Sequence, residues 1–131
     1  MEFDSVIEKR HSTRSFKNKG GPWKEVIIAI DAALAAPFCG SYGYIKYLMV
    51  ESRKNIEKIA ELAQQTWIQE SNLLILVLQD DRKLEALYGE RANRYARQQA
   101  GAAIENLLLK LTDQNIDSCW IGAFPDERIK S

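Results

Sequence analysis

The chain has 131 residues, of which 46% are hydrophobic and 27% are charged, and its 18 basic and 18 acidic residues give a net charge of zero. These values predict one folded domain, residues 1–131, exclude intrinsic disorder for most of the chain, and argue against nucleic acid or a membrane as a partner. The chain has only two cysteines, which predicts that it has no disulfide framework. It also has no apolar run of membrane-spanning length, and together these features predict a cytoplasmic protein.

The N-terminal part of the sequence predicts two helices separated by a basic segment. Ser5 and Glu8 have the spacing of a capping box, which predicts a short first helix. The stretch Lys9–Phe16 is too polar for a core element, and Gly20–Pro22 breaks the chain and supplies a proline for the first turn of a new helix. Apolar residues at helical spacing extend this second helix over Trp23–Ala36, and the proline that follows ends it.

The rest of the chain mixes strands and helices, with helices dominating. The patterns predict strands over Tyr44–Val50 and Leu73–Leu78, helices over Arg53–Gln65 and Arg91–Leu111, and a helical turn over Arg82–Leu87. They also predict a short strand or loop over Cys119–Phe124 and a final helix from Pro125. The continuous apolar run of the second strand favours cover on both faces. Strands and helices do not alternate regularly, and no glycine-rich dinucleotide motif follows a strand, so a Rossmann fold is disfavoured.

The side chains available for catalysis indicate an organic cofactor. One histidine, His11, and two cysteines far apart in sequence do not supply the three or four ligands of a zinc site. A Ser-His-Asp triad would have to use His11, which lies in a basic stretch with no carboxylate close in sequence. If the chain is an enzyme, we therefore expect a bound organic cofactor, and no metal, to carry the chemistry.

The basic segment offers donors that suit a phosphate monoester. In an extended chain Arg10, Ser12 and Arg14 point to one side, and guanidinium groups form paired, charge-assisted hydrogen bonds with phosphate. The alternative is a solvated basic turn, in which the arginines lie near the negative end of the preceding helix. The residues alone leave both interpretations open.

Two further stretches have glycines between uncharged residues. The loop Pro37–Gly43 follows a helix end and lets backbone groups approach a flat ligand, although a plain connection is the simpler explanation of this stretch alone. The stretch Ser118–Phe124 gives backbone access at Gly122, and its alternative is a core strand. Taken singly, each stretch is explained best by the structural alternative.

Three arginines form a basic row on one predicted helix. Arg91, Arg94 and Arg97 lie at helical spacing and could bind phosphates, nucleic acid or an acidic partner. A solvated helix face, with Glu90 as an ion-pair partner, is the favoured interpretation. Together with the basic segment near residue 10, the row also supports a weaker hypothesis, in which the protein binds anionic partners through basic patches.

In this order, these stretches resemble the FMN-dependent nitroreductase family. The segments that carry the resemblance are Arg10–Phe16, Ala32–Pro37, Gln65–Ile68 leading into the strand Leu73–Leu78, Ala102–Leu109 and Asp117–Phe124. The resemblance spans essentially the whole chain. It implies an α+β sandwich, with helices around a central, mostly antiparallel sheet, in an intertwined homodimer with two FMN sites at the interface.

The resemblance also implies which residues bind the cofactor. They are Arg10, His11, Ser12 and Arg14 at the FMN phosphate and ribityl chain; Pro37, Phe38, Cys39 and Ser41 at the flavin, from the other subunit; Gln65 at the polar edge of the ring; and Ile121, Gly122 and Ala123 as backbone contacts near N5. In the implied ping-pong reaction, NAD(P)H reduces the flavin, and a nitro compound, quinone or similar small acceptor then oxidises it. No catalytic side chain is implied.

The sequence departs from the family pattern in two places. The loop Pro37–Ile45 has Ser41 and Gly43 where the family usually has asparagine and glutamine. The chain stops at Ser131, where relatives continue into a further strand and tail, so the resemblance predicts an abbreviated C-terminus. These departures support an alternative function, a flavin-binding or dimeric interaction protein of the same fold with impaired catalysis.

Overall fold

The structure is a computed structural model that describes residues 1–17 and 23–131, so the predicted break Gly20–Pro22 lies outside the described residues. Its α-helices are α1 (Phe3–Lys9), α2 (Trp23–Leu34), α3 (Arg53–Leu62), α4 (Arg82–Tyr88), α5 (Ala92–Asp113) and α6 (Asp126–Lys130). Its strands are β1 (Ile45–Val50) and β2 (Leu74–Gln79), and short 3-10 turns lie at Cys39–Ser41, Thr66–Glu70 and Gly89–Arg91. Within the described ranges, no helix is both long and apolar enough to cross a bilayer.

The two strands pair antiparallel, with Ile45 opposite Gln79 and Val50 opposite Leu74. Alternate residues of β1, among them Ile45 and Tyr47, pack against the main hydrophobic core beneath the sheet. On the other face Leu78 stays 38% exposed, so the expected cover on both faces of β2 is incomplete. The predicted α+β class with an antiparallel sheet is confirmed.

The core is centred on the contact between α2 and α5. Ala29, Ala33 and Ala103 have no exposed surface, and side chains this small let the two helix backbones approach closely. Leu107 and Leu111 of α5 complete the buried cluster. Asn106 of α5 adds a hydrogen bond between the two helices, since its Nδ2 donates to the carbonyl oxygen of Ala32 at 3.1 Å. Ala103 of α5 therefore serves a helix contact within one chain.

The first helix does not use the predicted capping box. Helix α1 begins at Phe3 with Glu2 as its N-cap, so Ser5 and Glu8 lie inside the helix. The hydrogen bond from the Val6 amide to the Glu2 carbonyl, 3.1 Å long, starts the helix earlier than the sequence pattern indicates. Val6 is the buried residue of this helix, and its packing decides which side of α1 faces the protein.

A carboxylate fixes the turn between β2 and α4. Asp80 Oδ1 accepts a hydrogen bond from the Arg82 amide at 3.1 Å, and Asp80 Oδ2 lies 2.6 Å from Arg82 Nη2. Hydrogen bonding to the Arg82 side chain and backbone lowers the pKa of Asp80 to about 2. The turn directs α4 so that Leu84 enters a small cluster with Ala92 and Ala96.

Two leucines of α4 provide a matched test of this packing. Leu84 has no exposed surface, whereas Leu87 is 55% exposed. We expect Leu84→Ala to lower the free energy of unfolding by about 2–5 kcal/mol, because it removes buried methyl groups and leaves a cavity. Leu87→Ala should change it by less than about 0.5 kcal/mol. Urea unfolding at one fixed protein concentration measures both, and equal effects would contradict the position of α4.

Candidate functional site

The basic segment lies beside the segment that follows α5. Ser12 and Ser118 form a parallel β-bridge, and the Thr13 amide donates to the Ser118 carbonyl at 3.0 Å. Two of the stretches that carry the sequence resemblance, more than 100 residues apart, are therefore neighbours. Their backbones hold each other, so the side chains of both segments are presented at one place.

The basic segment is extended, and its side chains alternate. His11 Nε2 and Thr13 Oγ1 lie 3.1 Å apart, which places these two side chains on the same side. His11 Nδ1 also lies 3.2 Å from the Lys9 carbonyl oxygen. By the alternation of an extended chain, Ser12 and Arg14 face the other side, and both are exposed. The alternation thus places Ser12 and Arg14 on one side of the segment and His11 on the other.

Arg10 lies over the middle of α5. It is the C-cap residue of α1, and its Nε is 3.8 Å from Glu105 Oε1. One turn earlier on α5 is Gly101, where an added Cβ would lie 3.7 Å from the ring of Trp120. This side of α5 therefore carries a carboxylate beside the first arginine of the basic segment and a contact with the segment after α5.

Gln65 holds the segment that contains Gly122. Its Nε2 donates to the Ala123 carbonyl at 2.7 Å, and Ile121 packs on a buried cluster that includes Ile68. At Gly122 an added Cβ would meet no atom within 4 Å, so space is open beside this backbone. The structure therefore brings Gln65 together with residues 121–123, as the predicted site requires.

Aromatic stacking joins this group to the basic segment. Phe16, which follows the basic segment, stacks on Trp67, with ring centroids 6.4 Å apart and an interplanar angle of 17°. Trp67 itself packs against the same cluster as Ile121. Three of the four predicted groups of site residues, the basic segment, Gln65 and residues 121–123, thus form one continuous region.

The fourth predicted group, the loop after α2, has one side chain directed inward. Phe38 packs against the main core, and an added Cβ at Gly43 would lie 3.4 Å from its ring. The glycine therefore leaves room for the phenylalanine. Gly40 and Ser41 reverse the chain with φ values of 60° and 64°, and Ser41 is exposed at the tip.

A buried glutamine that sequence reasoning missed holds this loop. Gln99 is 4% exposed, and its Oε1 accepts from the Cys39 amide at 3.1 Å. Its Nε2 donates to the carbonyl oxygens of Tyr42 and Gly43, both at 3.0 Å, and to Gln79 Oε1 at 3.1 Å. A signal was present in the sequence, because Gln99 lies on the alanine stripe of the long predicted helix, where a polar residue needs buried partners.

A shallow cleft of about 180 Å³ lies between this loop and α5. Its lining residues are Pro37, Cys39, Tyr95, Gln98, Gln99 and Ala102. The Tyr88 hydroxyl lies beside the Cys39 thiol, and hydrogen bonding to that thiol raises the pKa of Tyr88. Two of the four predicted residues of the loop, Pro37 and Cys39, thus border an open cleft.

The basic row of α5 is exposed along its length. Among the residues that the structure describes, Arg91, Arg94 and Arg97 have no carboxylate within ion-pair distance, and this includes the expected partner Glu90. Their positions at the start of α5 leave the guanidinium groups to solvent. The expectation of a solvated face agrees with their exposure, whereas the pairing with Glu90 is not present.

Comparison with known proteins identifies the class to which this fold and this arrangement belong. A model of the nitroreductase family matches residues 57–131, more than half of the chain. A search of curated protein sequences finds no match.

Solved structures agree with the family match. A nitroreductase family protein of Clostridium novyi NT superposes with a TM-score of 0.89 at 26% identity, over 99% of this chain and 74% of that one. A putative NADH oxidase of Clostridium acetobutylicum gives 0.79 at 26% identity, over 95% of this chain and 72% of that one. A nitroreductase family protein of Streptococcus pneumoniae TIGR4 shares the fold, with a TM-score of 0.84 at 24% identity, over 98% of this chain and 80% of that one.

The chain belongs to the nitroreductase family, and this membership makes it an oxidoreductase enzyme. The family implies a flavin cofactor, and the described residues fit one. Ser12 and Arg14 offer a hydroxyl and a guanidinium to a phosphate from one exposed side of the chain. The open backbone beside Gly122 leaves room for a flat ring near Gln65.

The hydrogen bond from Gln65 can be tested by substitution. We expect Gln65→Leu to lose about 1 kcal/mol of stability and to release the segment around Ala123. Chymotrypsin should then cut after the exposed Trp120 about fivefold faster, because local opening becomes more frequent. Gln69→Leu, at an exposed glutamine in the 3-10 turn that follows Gln65, is the control and should leave the rate unchanged. Equal cleavage rates in the two variants would contradict the anchoring role.

Proposed function

We propose that the protein is an FMN-dependent oxidoreductase that uses NAD(P)H to reduce small acceptors such as nitro compounds or quinones. The observation that carries the proposal is the parallel bridge between Ser12 and Ser118. It brings the hydroxyl and guanidinium donors of the basic segment close to the backbone of residues 121–123. The sequence resemblance assigns these two groups to opposite ends of one cofactor. The names of relatives, such as the NADH oxidase of Clostridium acetobutylicum, support the same chemistry.

The phosphate end of FMN is assigned to the basic segment. Arg14 and the Ser12 hydroxyl donate from one exposed side, and Arg10 approaches from the end of α1. Glu105, 3.8 Å from Arg10, keeps that guanidinium over α5 and offsets part of its charge. The two arginines supply charge-assisted hydrogen bonds that a solvated phosphate dianion favours.

The ring end is assigned to Gln65 and residues 121–123. Gln65 keeps the Ala123 carbonyl engaged, so the backbone around Gly122 is held in one conformation with open space beside it. Bound FMN would supply the hydride-transfer chemistry, and the protein supplies position and exclusion of water. No side chain is assigned as a general acid or base, so the rate depends on how the residues orient the ring and the acceptor.

We also propose a homodimer, in which the loop after α2 approaches the flavin of the partner subunit. Exposed apolar side chains on α1 and α2 support this, among them Phe3 at 71%, Ile28 at 51% and Leu34 at 57% exposure. Large apolar side chains with this exposure are typical of a surface that a partner subunit covers. Both cysteines, Cys39 and Cys119, are free, which fits the proposed cytoplasmic location.

A second candidate function is a flavin-binding dimer of the same fold with impaired catalysis. The loop after α2 favours it, because Phe38 is packed inward and the loop carbonyls of Tyr42 and Gly43 are bonded to Gln99. Fewer loop groups are then available to a ring. The reaction with a reductant separates this candidate from the enzyme.

The experiment begins with the colour of the purified protein. We expect flavin absorbance, release of FMN on denaturation, and bleaching by NADH or NADPH under anaerobic conditions. Reoxidation by a nitro compound or a quinone completes the cycle. A protein that binds FMN and is not bleached by either nucleotide supports the second candidate, and a colourless protein that does not bind added FMN contradicts both.

The phosphate assignment has its own test. We expect the double substitution Arg10→Ala and Arg14→Ala to weaken FMN binding about 100-fold, since each arginine provides charge-assisted hydrogen bonds. Riboflavin, which has no phosphate, should bind the variant and the parent equally. The control is Arg94→Ala with Arg97→Ala, which removes the same charge from α5.

Fluorescence titration with both ligands measures these affinities. Unchanged FMN affinity in the variant of Arg10 and Arg14 would contradict the assignment. A larger loss in the variant of Arg94 and Arg97 would move the phosphate site to the basic row.

A further inference from the structure

Gln99 is a buried polar residue in the core of α5. Among the residues that the structure describes, it is the polar side chain with the least exposure, at 4%. A buried amide is costly unless its donors and acceptor are satisfied. Gln99 meets this condition entirely with groups outside its own helix, three of them in the backbone of one loop. The buried amide of Gln99 therefore stabilises the loop and not α5.

The bonds of Gln99 reach both arms of the loop. Its acceptor oxygen takes the Cys39 amide before the turn, and its amide nitrogen donates to Tyr42 and Gly43 after the turn. Between the arms the chain reverses at Gly40 and Ser41, both with positive φ. One side chain thus closes a strained reversal, in which the non-glycine residue Ser41 occupies a disfavoured conformation.

Gln79 extends the same network to the sheet. Its Oε1 accepts from Gln99 at 3.1 Å, and its Nε2 donates to the carbonyl oxygens of Gly43 at 2.9 Å and Tyr44 at 3.3 Å. The carbonyl of Gly43 thus accepts from both glutamines. Because Gln79 is the last residue of β2, the loop is fixed to the sheet as well as to α5.

We propose that Gln99 is a positioning residue, which fixes the loop 38–43 against α5 so that Pro37 and Cys39 present the cleft to the flavin ring. This inference rests on the proposed function. The cleft connects the loop with the ligand, because Gln99 lines it together with Pro37, Cys39 and Ala102. A change in Gln99 moves the wall of the cleft while Pro37 and Cys39, the proposed ring contacts, keep their side chains.

The chemistry of an amide is required at this position. A carboxylate of the same size has no donor, and it would face the oxygens of Tyr42, Gly43 and Gln79. A hydrocarbon would leave the Cys39 amide and two carbonyls without their partners. Both Gln99→Glu and Gln99→Leu should therefore release the loop, for different reasons.

The first experiment measures how accessible the loop is in the flavin-free protein. In a Cys119→Ser background Cys39 is the single thiol, and it is half-buried in the loop. We expect a thiol reagent to label Cys39 at least tenfold faster in flavin-free Gln99→Glu and Gln99→Leu than in the parent. Asn93→Asp makes the amide-to-acid change at an exposed position of the same helix and should leave the rate unchanged.

A second variant keeps the test valid if the Gln99 variants do not fold. Gln79→Leu removes part of the network from β2 and leaves α5 intact. It should increase labelling of Cys39 by a smaller factor, with an unchanged circular dichroism spectrum. Parental labelling rates in folded Gln99 variants, or in Gln79→Leu where those do not fold, would overturn the positioning role.

The second experiment connects the loop to the cofactor. In the holoprotein we expect Gln99→Leu to weaken FMN binding about tenfold and to shift the visible absorbance of the bound flavin, while riboflavin is affected to the same extent as FMN. Fast labelling with unchanged FMN affinity and spectrum would overturn the link between loop and ring. If the parent binds no FMN, the proposed function fails with that link, and the labelling rates still decide whether Gln99 holds the loop.

Discussion

The close contact between α2 and α5 is the constraint on which the rest of the structure depends. Alanines without exposed surface, Ala29 and Ala33 on one helix and Ala103 on the other, allow the backbones to approach. This contact uses one side of α5 and fixes its orientation. Other sides of α5 contact Arg10, Trp120 of the segment after α5, and the loop after α2.

Two different sides of α5 carry the two parts of the candidate site. Gly101 and Glu105 face the segment after α5 and the end of α1, where the basic segment begins. Tyr95, Gln99 and Ala102 face the loop after α2 and line the cleft. Because successive residues of a helix are rotated by about 100°, these two sets lie on neighbouring faces of one cylinder, and Gln98, which also lines the cleft, lies between them. A single rigid helix thus sets the geometry of both parts.

The sequence predicts the elements of this fold well and their contacts less well. Helices and strands follow from apolar periodicity and from glycine and proline, and the observed ends lie within about three residues of the predicted ones. The prediction that Ser5 caps α1 was wrong, because the burial of Val6 and a backbone hydrogen bond to Glu2 outweigh the side-chain cap expected at Ser5. Tertiary packing, which no local pattern contains, decides such details.

The candidate site shows the same division between local and tertiary information. The donor set of the basic segment follows from alternation in an extended chain, and the bond between His11 and Thr13 agrees with that alternation. The bridge to Ser118 joins residues more than 100 positions apart and is not encoded by any spacing. Gln99 is a similar case: the helix pattern marks it as a polar residue that needs buried partners, but its partners in the loop lie 56–60 residues away and no spacing identifies them.

The separation of the two parts has a consequence for catalysis. Within one chain, the basic segment, Gln65 and residues 121–123 form one region, while the cleft of Pro37 and Cys39 lies on another side of α5. In the homodimer proposed above, a planar cofactor would contact the basic segment of one copy of the chain and the cleft of the other. In that arrangement the rigidity of the loop matters more than in a monomeric enzyme, because a displaced loop changes the partner's site as well as the surface of its own subunit. The buried amide of Gln99, which is bonded to both arms of the loop, is proposed to provide that rigidity.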